Sequence, residues 1–142
     1  MPAKLARSPP FSYNRLVSDL RVLVVEDSKA MRAFVRAALE EELGAEVHEA
    51  ASGLAALARM PREEFGLVIV DVNMPDLNGL ELISFLRKQK AHTHTPVILM
   101  STESSDRDRE RGLALGANAF LSKPFGVEEL CALVRKQLQD RG

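Results

Sequence analysis

Little in this sequence could staple it together or carry it into a membrane. One cysteine, Cys131, occurs in 142 residues, which excludes an intrachain disulfide and a cysteine-based zinc site and fits a reducing compartment. No run approaches the roughly 18 uninterrupted apolar residues of a membrane span; the strongest are RVLVV, Arg21 to Val25, and GLVIV, Gly66 to Val70. Charge of one sign is missing too: 19 Lys plus Arg against 20 Asp plus Glu leave a formal net charge of −1, which argues against a nucleic-acid binder driven by bulk electrostatics. The first twenty residues carry Lys4, Arg7 and Arg15, but Pro9 and Pro10 interrupt them and no apolar signal core follows. The expectation is a soluble, cytoplasmic chain with no membrane span and no nucleic-acid partner. Its length suits one domain, large enough to bury a core without a disulfide or metal staple.

From Arg21 onward, apolar runs of about five residues alternate with segments of helical periodicity. RVLVV reads as a strand buried on both faces. Ser28 can cap a helix to about Leu43, with Met31, Val35, Ala38 and Leu39 on one face and Gly44 as its stop. Ala45 to Ala50 makes a second strand, and Gly53 to Met60 a helix ended by Pro61. GLVIV is the third strand and runs into Asp71 and a turn-rich loop, Asn73 to Gly79. A helix from Leu80 to Gln89, the polar loop AHTHT and the strand PVILMS, ending at Ser101, come next. Ser105 to Leu115 is densely charged and predicts an exposed helix ended near Gly116. ANAFLS is the fifth strand, and the last helix, from Val127, aligns Val127, Leu130, Val134 and Leu138. Strict alternation of five strands with five helices predicts an α/β fold, a parallel sheet covered on both faces by right-handed crossovers.

In such sheets ligands bind outside the carboxyl ends of the strands. Collected there are Glu26 and Asp27 after strand one, Asp71 after strand three, Ser101 and Thr102 after strand four, and Lys123 after strand five. Three crowded carboxylates repel one another unless a hard divalent cation or the Lys123 ammonium neutralises them. An incomplete oxygen cage suits magnesium, which keeps several waters and favours phosphates, and so points to phosphoryl chemistry. Any one of these acids could merely end a strand or cap a helix. Asp71 is harder to read that way, because a loop follows it and a lysine and a hydroxyl reach the same rim.

These residues resemble the receiver domains of two-component response regulators, most closely the single-domain, CheY-like chemotaxis type. The resemblance covers about Arg21 to Asp140 and rests on Glu26-Asp27, Asp71 with Pro75 and Gly79 downstream, Ser101, and Lys123-Pro124-Phe125, at intervals like the family's. It implies a flavodoxin-like, doubly wound (βα)5 fold with strand order 2-1-3-4-5, residues 21–142 forming the receiver and 1–20 an extension. It implies that Asp71 accepts a phosphoryl group from the phosphohistidine of a partner histidine kinase. Magnesium would be held by Asp27, Asp71 and the Asn73 carbonyl, with Glu26 acting through water. Lys123 and Ser101 would contact the phosphoryl oxygens. Ser101 and Phe120 would form the switch, altering the helix 4–strand 5–helix 5 face where a downstream target docks. Asn73 and Glu103 match positions that tune self-dephosphorylation. Lys123-Pro124 resembles the family's cis peptide. The chain is thus expected to be a phosphoacceptor rather than an enzyme, a monomer or weak dimer that signals by docking, since only Arg141 and Gly142 follow the last helix.

Two residues depart from the family pattern: Phe120 where chemotaxis members often carry tyrosine, and Thr102 where alanine or glycine is usual. An FMN carrier would need a Gly/Ser/Thr-rich phosphate loop after strand one, where Glu26-Asp27 would repel phosphate. A haloacid-dehalogenase-type phosphohydrolase would place Asp-x-Asp there. A receiver acting as an interaction module without regulated phosphorylation is the remaining alternative. His92 and His94 read as exposed, Cys131 as a core residue, and Met31, Met60, Met74 and Met100 as gap-fillers or loop residues. The extension, with Phe11 and Tyr13, reads as a flexible tail or a docking arm.

Overall fold

The computed structural model describes residues 19–102 and 106–141; the extension through residue 18, Glu103 and the expected helix start at Ser105 lie outside them. Five strands, β1 (Arg21–Val25), β2 (Glu46–Ala50), β3 (Leu67–Asp71), β4 (Val97–Ser101) and β5 (Ala119–Ser122), alternate with α1 (Lys29–Leu43), α2 (Gly53–Arg59), α3 (Gly79–Arg87), α4 (Asp106–Leu115) and α5 (Val127–Arg141). All strand pairs are parallel, in the order β2-β1-β3-β4-β5, as expected. No described helix is long and apolar enough to cross a membrane.

The period-2 alternation of the strands divides the core. Val22, Val24, Leu67, Ile69, Ile98 and Met100 pack with Val35, Leu39, Leu130 and Val134 of α1 and α5. Leu23, Val25, Val68, Val70 and Leu99 turn the other way, onto Ala56, Leu80, Ile83 and Leu86 of α2 and α3. That two-sided burial is why β1, β3 and β4 read as unbroken apolar runs. Ser28 caps α1 by accepting the Met31 N–H, and Gly44 closes it in the left-handed region at φ 65°. Cys131, Met60, Met74 and Met100 are buried and Met31 is partly buried.

Two local readings change. α3 stops at Arg87 and a 3-10 turn spans Lys90–His92. Within it His92 is fully buried rather than exposed: Nε2 lies 3.1 Å from the carbonyls of both Met60 and Glu63, and Nδ1 is 3.1 Å from Thr95 Oγ1. Its ring stacks on Phe65, so an aromatic shelf and two backbone carbonyls within hydrogen-bond reach hold it inward. His94 is exposed, as expected. The charged α4 is mostly exposed, as expected, and its exposed Arg109 lies over the Phe120 ring, 5.3 Å from its centroid.

Arg87 locks the amino-terminal edge of β4 and β5. Its guanidinium donates to the carbonyls of His92, Thr95 and Gly116 and to Asn118 Oδ1, all within 3.2 Å. Replacing Arg87 with Met strands several of these acceptors, and an unsatisfied buried acceptor costs about 1–3 kcal/mol. The Arg87→Met variant is expected to unfold in urea with a clearly lower midpoint at an unchanged slope.

Candidate phosphoacceptor site

The carboxyl ends of β1, β3 and β4 and the residue after β5 converge on one rim. Glu26 follows β1 directly and is pinned there: its N–H donates to the Ala50 carbonyl at 3.1 Å, and its Oε2 accepts the Ser28 N–H at 3.0 Å. It is almost fully buried, whereas Asp27, next in the turn, faces solvent. Asp71 ends β3 and is 4% exposed. Gly79 permits the β3–α3 loop to fold back behind it, since a Cβ there would lie 2.5 Å from the Asp71 carbonyl. Asn78 and Glu81 form a capping box that starts α3 at that point. The Asp76 carboxylate accepts the N–H groups of Gly53 and Leu54, at 3.3 and 3.0 Å, and so ties the same loop to the start of α2.

Lys123 reaches back over the rim. Its Nζ donates to Glu26 Oε1 at 2.6 Å and lies 3.6 Å from Asp71 Oδ2. Ser101 is completely buried beside it at the end of β4, and its carbonyl accepts the Lys123 N–H at 2.8 Å. The Lys123–Pro124 peptide is cis, as the resemblance implies. Asn73 is exposed at the mouth of the loop; its N–H is 3.4 Å from Asp71 Oδ1. Phe120 is half-buried on β5, and Thr102 is exposed after Ser101. Beside the rim an open groove of about 480 Å³ runs between Asn73, Met74, Pro75, Asn78, Asp108 and Arg111. A cavity of about 580 Å³ at the other end of the sheet, beside Arg21, Phe65 and Leu138, is remote from these carboxylates.

Burial and the neighbouring Glu26 charge push the Asp71 carboxyl up to about 6, against the opposing pull of Lys123 and the Asn73 N–H. One carboxylate oxygen each from Glu26, Asp27 and Asp71 lie within 4.8 Å of one another. One lysine among three such acids leaves negative charge in excess, and an all-oxygen donor set fits a hard divalent cation such as magnesium.

The rim therefore unites every candidate site residue among the described residues except Phe120, which stands lower on β5; Glu103 falls outside them. Sequence reasoning missed Arg32. Its Nη1 donates to the carbonyls of Glu26 (2.8 Å) and Asp27 (3.4 Å), and its Nε to Glu49 Oε1 at 3.0 Å. The available signal was electrostatic. The amino-terminal end of α1 carries basic residues, Lys29 and Arg32, and no acid in its first turn, contrary to the helix dipole, so this arginine must answer to something outside its helix.

Residues 22–135 match the response regulator receiver domain, and the chain belongs to that family, whose members are signalling modules of two-component systems rather than ordinary enzymes. KdpE, the KDP operon transcriptional regulatory protein of Escherichia coli, is 41% identical over 118 residues, 83% of this chain and 51% of KdpE. The chain spans about half the length of the first curated relatives it matches. Among solved structures, the chemotaxis response regulator CheY4 of Vibrio cholerae superposes with a TM-score of 0.79 at 36% identity, covering 83% of this chain and 98% of that one. The receiver domain of the Pseudomonas aeruginosa sensor histidine kinase PA1611, with a magnesium ion in its active-site cleft, does so at 0.77 and 27% identity, over 84% and 97%.

A carboxyl held near 6 when folded and near 4 when unfolded binds its proton more tightly in the native state. Stability is therefore lost as pH rises from about 4 to about 6 and stays lost above that. In metal-free buffer, Asp71→Asn is expected to be more stable than the parent at pH 7.5 by on the order of 2 kcal/mol, the gap opening between pH 4 and 6. Urea unfolding of both proteins across that range checks it.

Proposed function

We propose that the chain is a phosphorylation-activated response regulator in which Asp71 is the acceptor. A carboxylate oxygen of Asp71 attacks the phosphorus of a kinase phosphohistidine, the P–N bond breaks, and its electron pair leaves with the imidazole; the product is an acyl phosphate. Above about pH 6 Asp71 needs no base, because its proton has already gone. Asp27, Asp71 and the Asn73 carbonyl would hold magnesium, with Glu26 through water; when bound, the ion neutralises charge on the transferring oxygens. Lys123 would meet a phosphoryl oxygen as a point charge, and the Ser101 hydroxyl would donate to another. By the same resemblance, Asn73 and Glu103 would tune the phosphoryl lifetime by admitting water.

The observation that carries this reading is the sharing of Lys123 between Glu26 and Asp71, at 2.6 and 3.6 Å. That ammonium is placed to redistribute toward new anionic oxygens once Asp71 carries them. Ser101, drawn toward the phosphoryl group, would shift its loop and the Phe120 ring, changing the face made by α4, β5 and α5 for a downstream target. Without a tyrosine hydroxyl at Phe120 the switch works by packing. A cytoplasmic setting and a monomeric or weakly dimeric state belong to the same proposal.

Intact-mass spectrometry after incubation with magnesium and acetyl phosphate tests it. The expected result is one added phosphoryl group, absent from Asp71→Asn and absent without magnesium. If neither acetyl phosphate nor a panel of phosphorylated histidine kinases labels Asp71, the receiver acts as an interaction module without regulated phosphorylation.

A further inference from the structure

We propose that Arg32 is a positioning residue for the cation site, holding the acidic turn Glu26-Asp27 in place through its backbone. The inference rests on the reading of Glu26, Asp27 and Asp71 as the acids that surround magnesium. Arg32 is only 15% exposed and spans two elements. Its Nη1 grips the carbonyls of Glu26 and Asp27, at 2.8 and 3.4 Å, while its Nε is anchored 3.0 Å away on Glu49 Oε1. Glu49 lies on β2, opposite Val24 of β1, and its second oxygen is held by Arg36 Nη1 at 2.6 Å. The turn that presents Asp27 is thus bolted from outside to the edge strand, by a fork that only a guanidinium supplies.

Charge and position make opposite demands on this residue. A fixed cation beside the rim repels a dication, so if Arg32 acted through charge alone, removing it would tighten magnesium binding. If it acts by orienting the turn, removing it weakens binding, as loss of partners that orient metal ligands does in general. Lysine separates the two further, because it keeps the charge but cannot span Glu49 and both carbonyls.

Calorimetric titration of the full chain with magnesium chloride, without phosphodonor, decides the matter using the parent, Asp27→Asn, Arg32→Lys and Arg32→Met, with circular dichroism confirming the fold. The parent is expected to bind, Asp27→Asn to lose binding, and both Arg32 variants to weaken it about tenfold. Tighter binding by Arg32→Met overturns the inference. So does unchanged affinity with only a lower melting temperature in EDTA, the mark of a merely structural arginine. If Arg32→Met does not fold, Arg32→Lys decides alone: parental affinity refutes positioning. A parent that binds no magnesium removes the cation reading itself and this inference with it, a result distinct from binding that ignores Arg32.

Discussion

Lys123 stands at the centre of an electrostatic problem that the rest of the molecule arranges. The parallel sheet brings the ends of β1 and β3 side by side, and both end in acids: Glu26, almost wholly buried, and Asp71, 4% exposed. Two adjacent buried carboxylates cannot both ionise cheaply. The single ammonium, 2.6 Å from Glu26 and 3.6 Å from Asp71, sits closer to the first and leaves Asp71 under-compensated. Stripping one partner from a buried pair of this kind costs about 3–5 kcal/mol, so the β5–α5 junction that carries Lys123 is bound to the β1–α1 turn by more than apolar packing. The remaining charge imbalance makes this end of the sheet receptive to a cation, and it raises the Asp71 carboxyl toward the range in which cells work.

Under the proposed chemistry the same imbalance powers the signal. A phosphoryl group on Asp71 would offer Lys123 and Ser101 new contacts, and only such unequal contacts can move a two-state equilibrium. Carrying a population from 1:99 to 99:1 takes about 5.5 kcal/mol, a sum within reach of a few charge-assisted hydrogen bonds in a site shielded from water. Phe120 lies between the rim and the outer face, half-buried and covered by the Arg109 guanidinium. Any change in its packing therefore also disturbs a charged residue on the surface of α4.

Much of this was legible in the chain, for identifiable reasons. Strands buried on both faces are conspicuous as VLVV or LVIV, and once their alternation with helices is seen, the fold rule sends the eye to the residues just past them. Glu26, Asp27, Asp71, Ser101 and Lys123 were all found that way. What was not legible depends on contacts between residues remote in sequence. His92 looks polar and exposed in AHTHT, but Phe65 and the carbonyls of Met60 and Glu63, some thirty positions earlier, bury it. Arg32 belongs to a helix by periodicity and to the acidic turn by hydrogen bonding. Asp76 looks like a turn former, yet its carboxylate caps α2 from a different loop. Periodicity reports which face of an element is covered; it is silent on which polar atoms meet across elements.

Arg87 shows how differently the two ends of the sheet are built. It is a half-buried cation with no carboxylate in salt-bridge reach among the described residues, its donors spent on backbone carbonyls and one side-chain amide. Burial lowers its affinity for the proton, but a guanidinium starts so high that it stays charged at any pH a cell meets. The entrances to β4 and β5 are therefore joined by a fastening whose charge does not change with pH. Opposite it, the rim is assembled from groups that trade protons and partners. Under the proposed chemistry, a receiver domain built this way keeps an inert anvil beneath a reactive edge, so that charge arriving at the edge would be spent on moving loops rather than on loosening the sheet that carries them.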